Sequence, residues 1–301
     1  MNPTGHKSHN GLKTFVLMAA LTALLIVIGQ LVGGTSGMVM FAAFAVIMNF
    51  VMFWFSASMA LRMSKAREVS EEEAPELHSM ISSLALRAGV PKPKVYITPS
   101  PQPNAFATGR NPKNAAIACT EGIMRALSPR ELEGVLAHEM AHIKNRDILI
   151  ASMAAMIAGA ISAVANFLQF SMLFGGGDNR DNPLGIVGAL ATIILAPLAA
   201  AVIQMAISRQ REFQADATGA GFLHDGNALA DALETLERGA HAVPMKTNPA
   251  AAPLYIVNPL SGLKGKGLSG LFSSHPPTEE RVRRLREMSG SFALRAQGVF
   301  A

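Results

Sequence analysis

Apolar residues are concentrated in three stretches without a charged side chain, residues 14–61, 148–177 and 182–208. A helix needs about 20 apolar residues to cross a hydrocarbon core roughly 30 Å thick. The first stretch is long enough for two crossings joined by the turn GGTSG, and each of the others for one. The pattern therefore predicts four transmembrane helices in two hairpins. The helices span residues 14–32, 38–61, 148–174 and 184–207, so that the hairpins occupy 14–61 and 148–207.

The first crossing could instead be a cleaved signal peptide. However, the apolar run TFVLMAALTALLIVIGQLV is long, and a second apolar segment follows it almost at once. A signal peptide has a shorter apolar region. We therefore expect the first crossing to be retained.

Basic residues lie at the open ends of both predicted hairpins. The turn GGTSG contains none, and the turn GGGDNRDN contains one arginine flanked by aspartates. Positive charge collects on the cytoplasmic side of a membrane. Both termini are therefore expected in the cytoplasm, together with a tail of residues 1–13 and two polar regions, 62–147 and 208–301. The basic residues are Lys7, Lys13, Arg62, Lys65, Arg67, Lys144, Arg146, Arg209 and Arg211.

The first polar region carries both helix and strand patterns. The stretch from Leu77 to Ala88 has its apolar residues on one helical face and is followed by Gly89, which ends a helix well. Three short runs, KVYIT, NAFATG and AAIAC, are separated by turns with proline and asparagine and predict a small antiparallel sheet. The prolines beside NAFATG place this run at the sheet edge.

A strong helix start follows these strands. Ser128 and Glu131 fit a capping box, and Pro129 fits the first helical position. The sequence contains neither proline nor glycine between Val135 and Gly159. We therefore expect this helix either to continue into the third crossing or to bend near it. Further helices are predicted in ISRQREFQADATGAGFL, ALADALETLERGA and PTEERVRRLREM, whereas residues 241–277 suggest a long mobile loop over the site. The expected fold is a mainly α integral membrane protein with an α+β domain outside the membrane.

Composition narrows the function classes. The chain is 50% hydrophobic, has a formal net charge of +5 and a mean hydropathy of +0.29. No basic run is interleaved with aromatic residues, so a nucleic-acid partner is not expected. Cys119 is the single cysteine and ends an apolar run, which favours a buried packing role over a nucleophile.

The segment HEMAH carries the most specific chemistry in the chain. His138 and His142 are four residues apart and project from one helix face, so both rings can bind a single Zn²⁺. Glu139 lies beside them and matches the general base of the HExxH metalloprotease signature. Zinc polarises a scissile carbonyl and lowers the pKa of water, and the glutamate accepts the water proton and passes it to the leaving amine.

A catalytic zinc site commonly uses a third protein ligand. The HExxHxxGxxH pattern is excluded because position 148 is Ile. Glu212 is the next candidate, with Asp216 one turn later, free to orient a ligand imidazole. Two crossings separate the histidines from Glu212, so all three emerge on the same membrane face. The alternative is that Glu212 is a solvated charge paired with a neighbouring arginine.

Other histidines carry weaker signals. His275, in SSHPP, could donate to the oxyanion that develops during peptide hydrolysis, or it could be a structural residue that closes the last loop. His78, His224 and His241 match no ligand spacing and are expected at the surface or in packing roles.

The segments HEMAH, REFQAD, NAFATG and SSHPPTEERV, set around two hydrophobic hairpins, resemble the HtpX-type membrane metalloproteases, which are related to the CAAX prenyl proteases. The resemblance implies a zincin-like catalytic domain with one zinc ion per chain. It further implies an endopeptidase of the bacterial inner membrane with a cytosolic active site, acting on damaged or misfolded membrane proteins in stress and quality control. By position it assigns His138, His142 and Glu212 as ligands, Glu139 as base and Asp216 as a supporting residue. Asn104, Ala105, Phe106 and Ala107 correspond to the family's substrate-aligning edge strand.

Three other functions remain alternatives. A zinc transporter or sensor is disfavoured because the predicted crossings carry neither a charged residue nor a histidine, and such groups mark ion pathways. A non-catalytic zinc-binding adaptor has no use for Glu139. CAAX-type prenyl-protein processing is the nearest enzymatic alternative, although four crossings leave less room for an enclosed chamber.

Overall fold

The computed structural model describes residues 9–153, 209–242 and 276–296. The predicted second hairpin beyond residue 153, nearly all of the predicted loop at 241–277, and His275 lie outside the described residues. The described residues include the sheet, the HEMAH helix and the helices packed around it.

The helical segment α1 (His9–Met63) is 55 residues long and turns back on itself near its middle. Gly34 has a φ of +58°, and a Cβ atom at Gly29 or Gly37 would collide with the backbone of the other glycine. The Asn49 amide donates to Thr22 Oγ1 over 2.7 Å, although the two residues are 27 positions apart. A straight helix would separate them by roughly 40 Å. The chain therefore turns within the GGTSG segment, where the sequence predicts a turn.

One segment of the described chain, Gly34–Met63, is long and apolar enough to cross a membrane, with a mean hydropathy of 2.2. Many of its apolar side chains are exposed, including Val46, Ile47 and Phe50. A helix that presents such residues outward is suited to a lipid environment.

The sheet has four strands, β1 (Arg67–Glu68), β2 (Lys94–Thr98), β3 (Ala105–Gly109) and β4 (Ala115–Thr120), in the order β1-β2-β4-β3. The three predicted strand segments are present, and β3 lies at the edge, as its prolines predict. The purely antiparallel sheet is wrong, because β2 and β4 pair in parallel while β1–β2 and β3–β4 are antiparallel. The chain leaves β2, skips one strand position to form β3, and returns through Pro112–Asn114 to place β4 in the gap.

The described helices outside α1 are α2 (Pro75–Ala88), α3 (Glu121–Ala126), α4 (Pro129–Asn145), α5 (Arg209–Leu223), α6 (Asn227–Ala242) and α7 (Thr278–Ala296). The predicted capping box at the start of α4 is present, with the Glu131 carboxylate accepting the Ser128 N–H over 2.8 Å. At its other end α4 bends instead of continuing: Arg146 adopts a left-handed φ of 61°, and helix resumes at residue 148.

Helix α4 is the centre of the main core. It packs against α2, α5, α6 and β3, and its apolar face is completely buried. The opposite face of the sheet forms a second, smaller core in which Phe106 and Ala118 pack with Leu61 of α1. The sheet therefore lies between the HEMAH helix and the end of the apolar hairpin.

Gly219 sets the distance between α4 and α5. A Cβ atom at this position would lie 2.9 Å from the backbone of Ala137 and from the His138 nitrogen. We expect Gly219→Ala to lower the free energy of unfolding by about 1–3 kcal/mol, because a rigid backbone must move to admit the methyl group. Gly221→Ala in the same helix has open space around it and is expected to be neutral or stabilising by up to about 1 kcal/mol. Thermal unfolding of the two purified variants measures the difference, and equal losses would refute it.

Candidate active site

Three predicted ligand side chains converge between α4 and α5. The Nε2 atoms of His138 and His142 are 3.1 Å apart, and the Glu212 carboxylate oxygens lie 3.5 Å from the first and 3.6 Å from the second. His138 and Glu212 are buried, and His142 is nearly so. This grouping could hold a metal ion.

These distances fit zinc. Bonds of about 2.0–2.1 Å in a tetrahedral arrangement separate the ligand atoms by roughly 3.3–3.4 Å. Both imidazoles also turn their other nitrogen to a carboxylate: His138 Nδ1 lies 2.9 Å from Asp216, and His142 Nδ1 lies 3.1 Å from Asp147. A carboxylate at Nδ1 holds the ring proton there and leaves the Nε2 lone pair for a metal.

The electrostatics of the cluster favour a positive charge between these groups. Burial lowers the pKa of His138, but contacts with the Asp216 and Glu212 carboxylates outweigh it and raise the pKa to about 9. The pKa of His142 is also raised, since Glu212 and Asp147 outweigh its burial. Buried charges need a partner, and a divalent cation would supply one for these carboxylates.

Glu139 is held beside the cluster by the edge strand. Its Oε2 atom accepts the backbone N–H of Ala107 over 2.8 Å. Burial raises the pKa of Glu139 against the opposing pull of the two neighbouring imidazoles. The carboxylate is therefore fixed next to the candidate metal position and poised to take a proton.

The same hydrogen bond fixes the orientation of β3. Successive residues of a strand direct their main-chain groups to opposite edges. Because the Ala107 N–H donates to Glu139, Ala107 presents its main-chain groups to the free edge of the sheet. Asn104 anchors the start of the strand, where its N–H donates to Thr120 Oγ1 over 2.8 Å. Phe106 packs on the outer face of the sheet. Of the four predicted substrate-binding residues, Ala107 donates a hydrogen bond to Glu139.

Asp216 is held by a residue that the sequence analysis missed. Arg281 of α7 donates from Nη2 and Nε to the two carboxylate oxygens over 2.7 and 2.9 Å. Burial raises the pKa of Asp216, but the Arg281 guanidinium outweighs it and holds that pKa well below its usual range. Arg281 therefore keeps Asp216 ionised where it faces His138.

A sequence signal for Arg281 exists in hindsight. It occupies the helical stripe of Leu285, Met288 and Phe292, which pack on the main core. An arginine on an apolar stripe indicates a buried partner. Asp147 was also missed, because it follows the bend at Arg146 and no spacing rule points from it to His142.

Among the described residues, His78, His224 and Cys119 have surroundings of their own. His78 makes a 3.0 Å hydrogen bond to the Val69 carbonyl, and His224 stacks edge-on against Phe292. Cys119 is completely buried in β4, where burial raises the pKa of its thiol to about 12. A thiol with such a pKa packs as an apolar residue and is a poor nucleophile.

Comparison with known proteins agrees with this geometry. The sequence profile of peptidase family M48 matches residues 71–289. A "Protease HtpX homolog" of Persephonella marina is 54% identical over 282 residues, which cover 92% of this chain and 97% of that protein. A homologue of the same name from Ralstonia pickettii is 54% identical over 283 residues, or 93% and 97% of the two chains.

A solved structure shares the fold. The crystal structure of S. mikatae Ste24p matches with a TM-score of 0.51 and 20% identity, over 92% of this chain. This chain spans 65% of the length of that protein, and the likeness concerns the fold alone. The resemblance inferred from HEMAH and its companion segments is confirmed: the chain belongs to peptidase family M48 and is a membrane metalloprotease of the HtpX type.

Proposed function

We propose that this chain is a zinc-dependent endopeptidase of the bacterial inner membrane that hydrolyses damaged or misfolded membrane proteins at the cytosolic face. The observation that carries the proposal is the convergence of His138, His142 and Glu212 beside Glu139. Both imidazoles turn Nδ1 to a carboxylate and Nε2 to the shared centre. A purely structural zinc site would have no use for the glutamate.

The membrane arrangement supports the cytosolic site. The apolar hairpin turns back near Gly34, so its two ends lie on the same side. Basic residues at both ends favour the cytoplasm. With the second predicted hairpin, the protein would be multi-pass with both termini in the cytoplasm, and its partners would be the lipid bilayer and unfolded membrane proteins.

The chain's own residues provide most of the chemistry. His138, His142 and Glu212 would hold one zinc ion, which when bound supplies Lewis-acid polarisation of the carbonyl and activation of water. Glu139 accepts the proton of the attacking water as the C–O bond forms, and returns it to the amine nitrogen as the C–N bond breaks. The free edge of β3 pairs with the extended substrate main chain and positions the bond.

The Glu212→Ala variant tests the ligand set. We expect its zinc content to fall at least about tenfold and its proteolysis to fall in parallel, because two imidazoles alone do not hold the ion in place. Gln214→Ala, exposed in the same helix, serves as the matched control and should keep both. Metal analysis and cleavage of an unfolded protein are measured on the same purified samples. Undiminished zinc in Glu212→Ala would show that the third ligand is elsewhere.

A further inference from the structure

The level of the membrane boundary can be read from α1. About 20 helical residues, rising 1.5 Å each, cross a hydrocarbon core roughly 30 Å thick. Counted from the turn at Gly34, that length ends at Trp54. The guanidinium of Arg110 lies 4.2 Å from the centre of the Trp54 ring. Tryptophan favours the membrane interface, whereas a guanidinium is excluded from hydrocarbon. Both observations indicate a boundary near Trp54, within the second predicted crossing of residues 38–61.

The edge strand connects this boundary to the catalytic residues. Arg110 directly follows Gly109, the last residue of β3. Ala107, three residues before Arg110, donates its N–H to Glu139. A strand rises about 3.3 Å per residue, so about 10 Å of backbone separates the residue beside Glu139 from Arg110, whose side chain reaches the boundary at Trp54.

The membrane end of β3 is fixed from a second side. The hydroxyl groups of Thr108 and Ser152 are 2.7 Å apart, in hydrogen-bond contact. A Cβ atom at Gly109 would meet the Ile148 side chain at 3.0 Å. Ile148 and Ser152 begin the apolar stretch that follows α4. The end of β3 is therefore held between α1 and the start of the apolar stretch that is predicted to form the third crossing.

We propose that the enzyme selects peptide bonds close to the bilayer, within about five residues of the end of a substrate's transmembrane helix. A substrate paired along β3 has room for about three extended residues beside the strand as far as Arg110, and the reach of the Arg110 side chain to the boundary adds about two more. Beyond that point its chain enters the membrane or has to turn away. This inference rests on the proposed function and specifies its substrate class as the juxtamembrane segments of membrane proteins.

The position of cleavage tests this inference directly. The wild-type enzyme is reconstituted in vesicles with substrates that carry one transmembrane helix and an unstructured segment of a repeated short sequence, placed before or after the helix. Every unit of the repeat offers the same peptide bond, so the sequence around the bond does not vary with position. Mass spectrometry of the products therefore reports only the distance of the cut from the transmembrane helix. We expect cuts to cluster within about five residues of the helix. A ten-residue Gly-Ser insertion between helix and repeat should slow cleavage of the repeat at least about tenfold, because the tethered bond leaves the reach of the site.

Cuts spread evenly along the repeat, or an unchanged rate after the insertion, would overturn the inference. Failure of the proposed function looks different: the wild-type enzyme would then cleave neither the membrane substrates nor a soluble unfolded protein.

The Arg110–Trp54 contact supplies a second test. Arg110→Ala should broaden the distribution of cut positions while leaving cleavage of a soluble unfolded protein within about twofold, since Arg110 does not touch Glu139 or the candidate ligands. Arg125→Ala, an exposed arginine of α3 paired with Glu121, is the control and should change neither readout. A distribution unchanged by Arg110→Ala would overturn the assignment of this contact as the membrane anchor of β3.

Discussion

Replacement of Glu139 by glutamine is expected to lower the rate of peptide-bond cleavage by orders of magnitude without loss of the metal. Glutamine has nearly the same shape, and its amide oxygen can still accept the Ala107 N–H that holds Glu139. It cannot take a proton from water. General-base catalysis contributes about 10²- to 10⁴-fold to a rate, so the cleavage rate should fall by that factor while the zinc content stays unchanged.

The experiment compares Glu139→Gln with Glu133→Gln, which makes the same chemical change in the same helix but outside the cluster. Zinc content and cleavage of an unfolded membrane substrate are measured for both. Full activity in Glu139→Gln would remove this residue from the mechanism. Loss of zinc in Glu139→Gln would show instead that the residue supports the ligands.

The HEMAH helix was predictable because its signals are local. The capping box at Ser128 fixes the start of α4, and a spacing of four residues puts His138 and His142 on one face wherever the helix lies. Strand segments were likewise readable from short apolar runs between turn residues. Glu212 was selected because it lies one helical turn from Asp216, and the predicted pair of crossings between it and the histidines supported the choice.

Contacts that depend on chain order or distant packing were not predictable. Short turns between three strands suggest an antiparallel meander, yet β4 inserts between β2 and β3 and pairs in parallel with β2. Strand β1 is two exposed residues long and leaves no periodic signal. Arg281 lies 65 residues from Asp216 in a highly charged helix, where most arginines form exposed ion pairs. Its place on the apolar stripe of Leu285 and Met288 indicates a buried partner, but only the packing of α7 on α5 identifies that partner as Asp216.

The buried ion pair of Arg281 and Asp216 is expected to dominate the stability of the C-terminal half. Both side chains are nearly inaccessible, at 1% and 2% exposure. In Arg281→Met the Asp216 carboxylate would stay buried without its guanidinium, and loss of one partner of such a pair costs about 3–5 kcal/mol. Arg283→Met in the same helix removes an exposed arginine paired with Glu280 and Glu287 and should cost less than about 1 kcal/mol.

A double variant separates the lost charge pair from lost packing. Asp216→Asn combined with Arg281→Met removes both charges of the pair, and the new amide oxygen can still accept a hydrogen bond from His138 Nδ1, which lies 2.9 Å from the present carboxylate. Unfolding free energies of the two single variants and the double variant form a thermodynamic cycle. We expect the double variant to recover much of the stability lost in Arg281→Met. If it is as unstable as the sum of the single changes, the guanidinium–carboxylate interaction contributes nothing and Arg281 acts through packing alone. Recovery would mean that Arg281 stabilises the fold by neutralising the carboxylate that orients His138, so that α7 supports the first predicted zinc ligand.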